Sequence, residues 1–328
     1  MSINESDCKQ TFILAKHICL LSEKSKGSVV VDFYQHPPEY QLLQEKLIQL
    51  KKQYPFIRLF SIGKSVLGRK LSAVGIGNLK TANLLVGAFH GQEWLTASVL
   101  IRFIEDCCSV IAAKQQISGM NLEQQFAQKG VIVIPMLNPD GVEIALKGPI
   151  CAKHLQKKVK QIQQQSNATW QANARGVDLN HNFDANFALC KQDEQHAGIF
   201  GPSPRQYGGE YPHSEPETKA LVHLCQTFSI QAAFAFHSQG EEIYYQYGEH
   251  TPKSSCYIAS LLAAYCGYTI TKPTGTASHG GFKDWFIDKL HRPGFTLEIG
   301  KGVNPLPITD LPFIYQTLRE TMMIAAII

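Results

Sequence analysis

Apolar positions change their period along this chain. Between Tyr40 and Tyr54 they fall at Leu43, Leu47 and Leu50, the spacing of one helical face, and Pro55 stops the run. Ile57 to Ile62 and Leu71 to Ile76 read as extended segments, and the glycines of Gly63-Lys64-Ser65-Val66-Leu67-Gly68 suit a hairpin between them. Asn83 to Phe89 is nearly continuous in apolar residues, the mark of a strand buried on both faces, and it ends directly at His90. Trp94 to Cys108 returns to a helical period and Val131 to Met136 to an extended one. Further on, Ser214-Glu215-Pro216-Glu217 reads as a capping box, Ile230 to Phe236 and Gly294 to Ile299 as buried strands, and an apolar helix begins at Leu311.

This strand, helix, strand order predicts an α/β fold: a three-layer sandwich whose central, mixed but mostly parallel sheet carries helices on both faces. His90, His237 and Glu298 fall at or near the ends of apolar strands, where open α/β sheets place their ligand crevices. Residues 1–38 carry little periodicity, end at His36-Pro37-Pro38 and read as an N-terminal arm, which leaves 39–328 as the domain. Between Lys147 and Trp170, Leu155, Val159 and Ile162 share one face of a basic, amide-rich stretch, a pattern expected of a solvated helix.

Composition narrows the classes of partner. At 328 residues and 44% hydrophobic the chain can bury one large core, and a net charge of +4 with 18% charged residues supplies no field for nucleic acid or an anionic membrane. The nine cysteines show no paired CxxC spacing, which suits a reducing compartment. The first twenty residues lack a basic region followed by a sustained apolar run, and no stretch reaches the roughly 18 to 20 apolar residues of a membrane span. A soluble, cytoplasmic protein is expected, with its oligomeric state unspecified.

Candidate chemistry converges on the strand ends. His90-Gly91-Gln92-Glu93 sets an imidazole and a carboxylate three residues apart at a turn, able to share one metal ion. Phe236-His237-Ser238 offers a second imidazole, although a histidine closing a strand can equally be a satisfied core residue. In Thr296-Leu297-Glu298-Ile299-Gly300 a carboxylate interrupts an apolar strand, costly unless it is paired or functional.

Taken in order, HGQE, NPDG, RGVDLNHNF, FHS and TLEIG resemble the zinc carboxypeptidase family over roughly residues 40 to 328. The resemblance implies a sheet of about eight strands, one zinc ion held by His90, Glu93 and His237, and Glu298 as general base and acid. A cationic donor beside the metal is expected from Arg175, with pairing to a nearby carboxylate as its structural alternative. Asn180 and His181 match the substrate-binding segment, but exopeptidase members carry arginine where His181 stands, so bidentate capture of a free terminal carboxylate is in doubt. Thr276 stands where pancreatic-type members place an aromatic hydroxyl, and Lys283 corresponds to the residue at the base of the specificity pocket.

The subgroup most similar in DLNHNF, in the stretch from Tyr207-Gly208-Gly209 to Glu217, and in GGFKDWF is the bacterial γ-D-glutamyl-meso-diaminopimelate peptidases. That resemblance implies hydrolysis of the γ-D-glutamyl to diaminopimelate bond of peptidoglycan peptides, with Lys283 pairing with the distal carboxylate. Alternatives are a cytoplasmic zinc carboxypeptidase for acidic C-terminal residues, in which a protonated His181 holds the terminus, and a metal-dependent deacylase of amino-acid conjugates.

Overall fold

The computed structural model describes residues 32–117, 119–272 and 279–328. Among them eight strands form one sheet: β1 (Arg58–Lys64), β2 (Lys70–Ile76), β3 (Ala82–Val86), β4 (Gly130–Ile134), β5 (Ile230–His237), β6 (Glu242–Tyr244), β7 (Thr269–Ile270) and β8 (Gly294–Glu298). The strand order is β1-β2-β4-β3-β5-β8-β6-β7. β4, β3, β5 and β8 run parallel at its centre, and the β1/β2 hairpin enters antiparallel on β4. The expected mixed sheet is therefore present, with its longest parallel run where the sequence is most continuously apolar.

Side-chain alternation divides the core between the two faces of the sheet. Leu85, Phe234, Phe236, Phe295 and Leu297 join helices Tyr40–Gln53, Leu95–Ala112, Ser254–Cys266 and Leu311–Ile327 in one apolar cluster. Leu84, Val86, Ala233 and Ala235 face the other way, onto Leu179, Phe183, Leu221, Phe282 and Phe286. By the same parity His237, two residues after Ala235, and Glu298, one after Leu297, project onto this second face. The register pairs them directly across β5 and β8.

The expected elements recur with shifted ends. Helix Leu95–Ala112 runs beyond Cys108, and β3 stops at Val86 because Ala88, at φ 48°, turns the chain before His90. The solvated helix is Gln156–Gln164, burying Val159 and Ile162. The capping box does not form. Helix Pro216–Thr227 starts from Glu215 with no side-chain cap, because Ser214 Oγ donates to Glu215 and accepts from Asn182 Nδ2 at 2.9 Å. Of the expected arm, residues 1–31 lie outside the described residues. Phe33–Gln35 forms a 3-10 turn that buries Phe33 in the same cluster as Leu43 and Leu47.

Glu217, at the start of that helix, is fully buried and accepts from Val66 N at 3.0 Å. Burial, reinforced by the Asp140 carboxylate, pushes its carboxyl up to about 8 against the backbone hydrogen bonds it receives. The folded state thus keeps a proton that the unfolded chain releases above about 4.5, so stability is lost as pH rises from there to about 8. Glu217→Gln is expected to flatten this part of the stability profile, removing a slope of up to about 1.4 kcal/mol per pH unit. Urea unfolding between pH 5 and 8 checks it, and an unaltered slope would count against a buried, protonated Glu217.

Candidate metal centre

Glycine-dependent packing places the HGQE turn. A Cβ on Gly91 would lie 2.3 Å from the Gly141 carbonyl oxygen, and Gly91 N donates to Gln171 O at 2.9 Å. The NPDG segment locks the other side. Asn138 Oδ1 accepts from Gly141 N at 2.9 Å while its Nδ2 donates to Phe89 O at 2.9 Å and to the Gln171 and Ala172 carbonyls at 3.2 Å. One buried amide thus ties the residue before His90 to the loop behind it.

On this support His90, Glu93 and His237 converge. His90 Nδ1 lies 2.8 Å from Glu93 Oε1, His237 Nδ1 lies 3.1 Å from Glu93 Oε2, and the two Nδ1 atoms are 3.3 Å apart. Two imidazole nitrogens so close cannot both carry hydrogens. On the far side of the ring, His90 Nε2 is 3.0 Å from Asp178 Oδ1, and a hydrogen donated there leaves a lone pair on Nδ1. Burial pushes His90 down, but Glu93 and Asp178 outweigh it and raise it well above the usual range. His237 is lowered, chiefly by burial. Asp178 is held far below ordinary carboxylates, its burial outweighed by His90, His181 and a hydrogen bond from Gln206. The group has room for one shared positive charge, and two imidazoles with a carboxylate suit a zinc ion. Asp178 supplies the orienting contact such ligands need.

Glu298 ends β8 opposite His237 on one side and Glu242 of β6 on the other. Burial first, then the Glu93 and Glu242 carboxylates, raise it well above the ordinary carboxylate range against the pull of His90. Tyr244 donates its hydroxyl to Glu242.

The remaining expected residues are placed unevenly. Asn180 Oδ1 accepts from Phe282 N at 2.9 Å, which leaves its amide donors available. His181, beside it in the 3-10 turn Leu179–His181, is 7% exposed and turns Nδ1 to Cys190. Lys283 is buried, donating to Gln246 O at 2.9 Å and to Asp284. Gln246 and Tyr247 line a hollow of about 510 Å³ with Thr251 and His279. Arg175 has a carboxylate partner. After the turn capped by Asn173, its half-exposed guanidinium pairs with Glu215 at 3.4 Å, in a hollow with Lys158, Tyr207 and Tyr211. Thr276 lies outside the described residues. Sequence reasoning missed Asp178 and Glu242. The first sits in a recognisable motif, but its partner is 88 positions away.

Known proteins resemble this chain in sequence and in architecture. A family model described as zinc carboxypeptidase, Peptidase_M14, matches residues 43–321. The γ-D-glutamyl-L-diamino acid endopeptidase 1 of Lysinibacillus sphaericus is 34% identical over 281 residues, covering 85% of this chain and 69% of that protein. The uncharacterised YqgT of Bacillus subtilis is 30% identical over 278 residues, or 83% and 73% of the two chains. The carboxypeptidase A structure of Helicoverpa armigera superposes with a TM-score of 0.67 at 18% identity, covering 97% of this chain and 78% of that one. With its donor set and sheet alike those of a metallopeptidase, the chain belongs to the zinc carboxypeptidase family.

Proposed function

We propose that this protein hydrolyses the γ-D-glutamyl to diaminopimelate bond of peptidoglycan peptides, with His90, Glu93 and His237 holding one zinc ion and Glu298 carrying the proton. The observation that supports this best is the convergence of the two Nδ1 atoms and the Glu93 carboxylate on a single point, one strand register from Glu298. When bound, zinc lowers the pKa of a water molecule and polarises the scissile carbonyl. The chain's own residues do the rest. Asp178 keeps the His90 ring turned with its Nδ1 lone pair inward. Glu298, on a rigid strand, takes a proton from the attacking water at a carboxylate oxygen and passes it to the leaving amine nitrogen.

The substrate class is supported by the Lysinibacillus relative, whose name describes action on γ-D-glutamyl diamino acids. His181, where exopeptidase members carry arginine, fits a substrate whose α-carboxyl need not be gripped in bidentate fashion. No described helix is long and apolar enough to cross a membrane. A cytoplasmic site of action would suit turnover of recycled wall peptides. Incubation with L-Ala-γ-D-Glu-meso-diaminopimelate should release free diaminopimelate and the L-Ala-D-Glu dipeptide, read by mass. Cleavage of peptides ending in glutamate, with the muropeptide left whole, would favour the general carboxypeptidase reading.

Lys283 is the proposed reader of the distal carboxylate. Its ammonium has three N–H donors, of which Gln246 O and Asp284 occupy two. Replacing diaminopimelate by lysine in the substrate and making Lys283→Met should each lower kcat/KM by roughly ten- to a hundredfold, and together by little more than either. Additive losses in this double-mutant cycle would take Lys283 out of the pocket. Because the substitution leaves Asp284 buried without its cation, Lys283→Met with Asp284→Asn is the companion variant.

A further inference from the structure

Behind His181 lies a second buried group of polar side chains for which the proposed reaction has no use. Helix Phe187–His196 presents Cys190 and Glu194, one turn apart, to the His181 ring. Cys190 Sγ is 3.6 Å from His181 Nδ1 and 3.6 Å from Glu194 Oε1. Glu194 is itself fixed, since Gly208 N donates to its Oε1 at 2.8 Å and Lys191 pairs with Oε2. The surroundings are full: a Cβ on Gly208 would lie 2.4 Å from the His181 carbonyl oxygen, and one on Gly280 would lie 2.9 Å from Cys190 Sγ. Nδ1 is committed to the thiol, and Nε2 is the nitrogen left without a protein partner among the described residues.

We infer that Cys190 and Glu194 are positioning residues for His181, holding its Nδ1–H against the thiol sulfur so that Nε2 is presented to a substrate carboxylate. This rests on the reading of His181 as a substrate-binding residue. The thiol has one hydrogen to give, and the carboxylate is a better acceptor than the ring, so S–H points at Glu194 and a sulfur lone pair is left for Nδ1–H. Burial, with Glu194 beside it, pushes the Cys190 thiol up, which keeps that hydrogen in place. A carboxylate arriving at Nε2 favours protonation there, and the resulting imidazolium has both N–H groups satisfied, one by sulfur and one by substrate. This gives the single imidazole a means of holding a carboxylate where other family members use an arginine fork.

The same distances approach the edges of a tetrahedral metal site, but Lys191 and Gly208 already occupy both Glu194 oxygens. The Lys191 ammonium would also repel a second cation.

The test uses zinc-loaded full-length protein and two γ-D-glutamyl diamino-acid peptides that differ only in a free or amidated α-carboxyl. Cys190→Ala is expected to raise KM for the free acid about three- to tenfold, the scale of one lost hydrogen bond, with kcat and the KM of the amide within about twofold. Cys190→Ser should recover most of the loss. An equal rise for acid and amide, or a fall in kcat alone, would overturn the inference. His181→Ala separates it from its premise: unchanged KM in that variant refutes His181 as a substrate contact, whereas a raised KM there with normal KM in Cys190→Ala removes only the positioning role. Loss of a second zinc equivalent in Cys190→Ala would make the thiol a metal ligand and overturn the inference too. Nitrogen-15 shifts of His181 in the unmodified protein need neither variant nor turnover. Hydrogen on Nδ1 is expected, and a ring protonated on Nε2 alone would refute the proposal.

Discussion

His237→Ala is expected to leave the purified protein with far less than one zinc per chain and no measurable turnover. The variant removes one of three donors from the group: the other ligand atoms belong to His90 and Glu93, each within 3.3 Å of His237 Nδ1. A zinc site cut from three protein ligands to two loses most of its affinity, and what remains has no second imidazole to set its geometry. Because zinc binds the folded chain in preference to the unfolded one, a chelator should lower the melting temperature of the parent protein and leave the variant nearly unmoved. Ring loss also opens a void against Phe89, whose ring centroid is 5.0 Å from that of His237. His237→Gln, which fills more of that space, serves as the control for packing. Stoichiometric zinc with normal turnover in either variant would show that His237 is not a ligand.

Much of this arrangement is legible in the sequence, for a reason the core makes plain. Parallel strands buried on both faces must be apolar throughout, so a histidine or glutamate at their ends stands out, and three such interruptions mark one crevice. What stayed hidden depends on contacts between distant residues. Ser214 has the sequence of a capping residue, but Asn182, thirty-two positions earlier, claims its hydroxyl. β6 and β7, with three and two residues, are too short to show an alternation, so Glu242 gave no sign of facing Glu298. Arg175 stands in a stretch of chain suited to an oxyanion donor, and its contact with the buried Glu215, forty positions on, is one the sequence does not show. Position along the chain suggests which groups can meet, and side-chain direction decides which do.

Glu298→Gln is expected to keep fold and zinc while losing at least about a hundredfold in kcat, the usual scale for removing a general base. The amide is nearly isosteric, so β8 should retain its register with His237 on β5 and with Glu242 on β6. Three ligands remain for the metal, and substrate binding should persist, placing the loss in kcat rather than KM. The pH profile supplies a second signature. A carboxyl raised by burial and by the Glu93 and Glu242 charges is protonated at a higher pH than an ordinary glutamate. Only its ionised form can accept a proton from water, so kcat/KM in the parent enzyme should show an acid limb that belongs to this carboxyl. A bound divalent cation adds a pull of the opposite sign, so in the zinc-loaded enzyme the limb should lie below the raised value of the metal-free site. In Glu298→Gln the limb should be absent from whatever turnover remains. A variant that kept near-normal kcat, or kept the acid limb unchanged, would transfer the proton-carrying role to another carboxylate, and Glu242 across the strand pair is the one to test next.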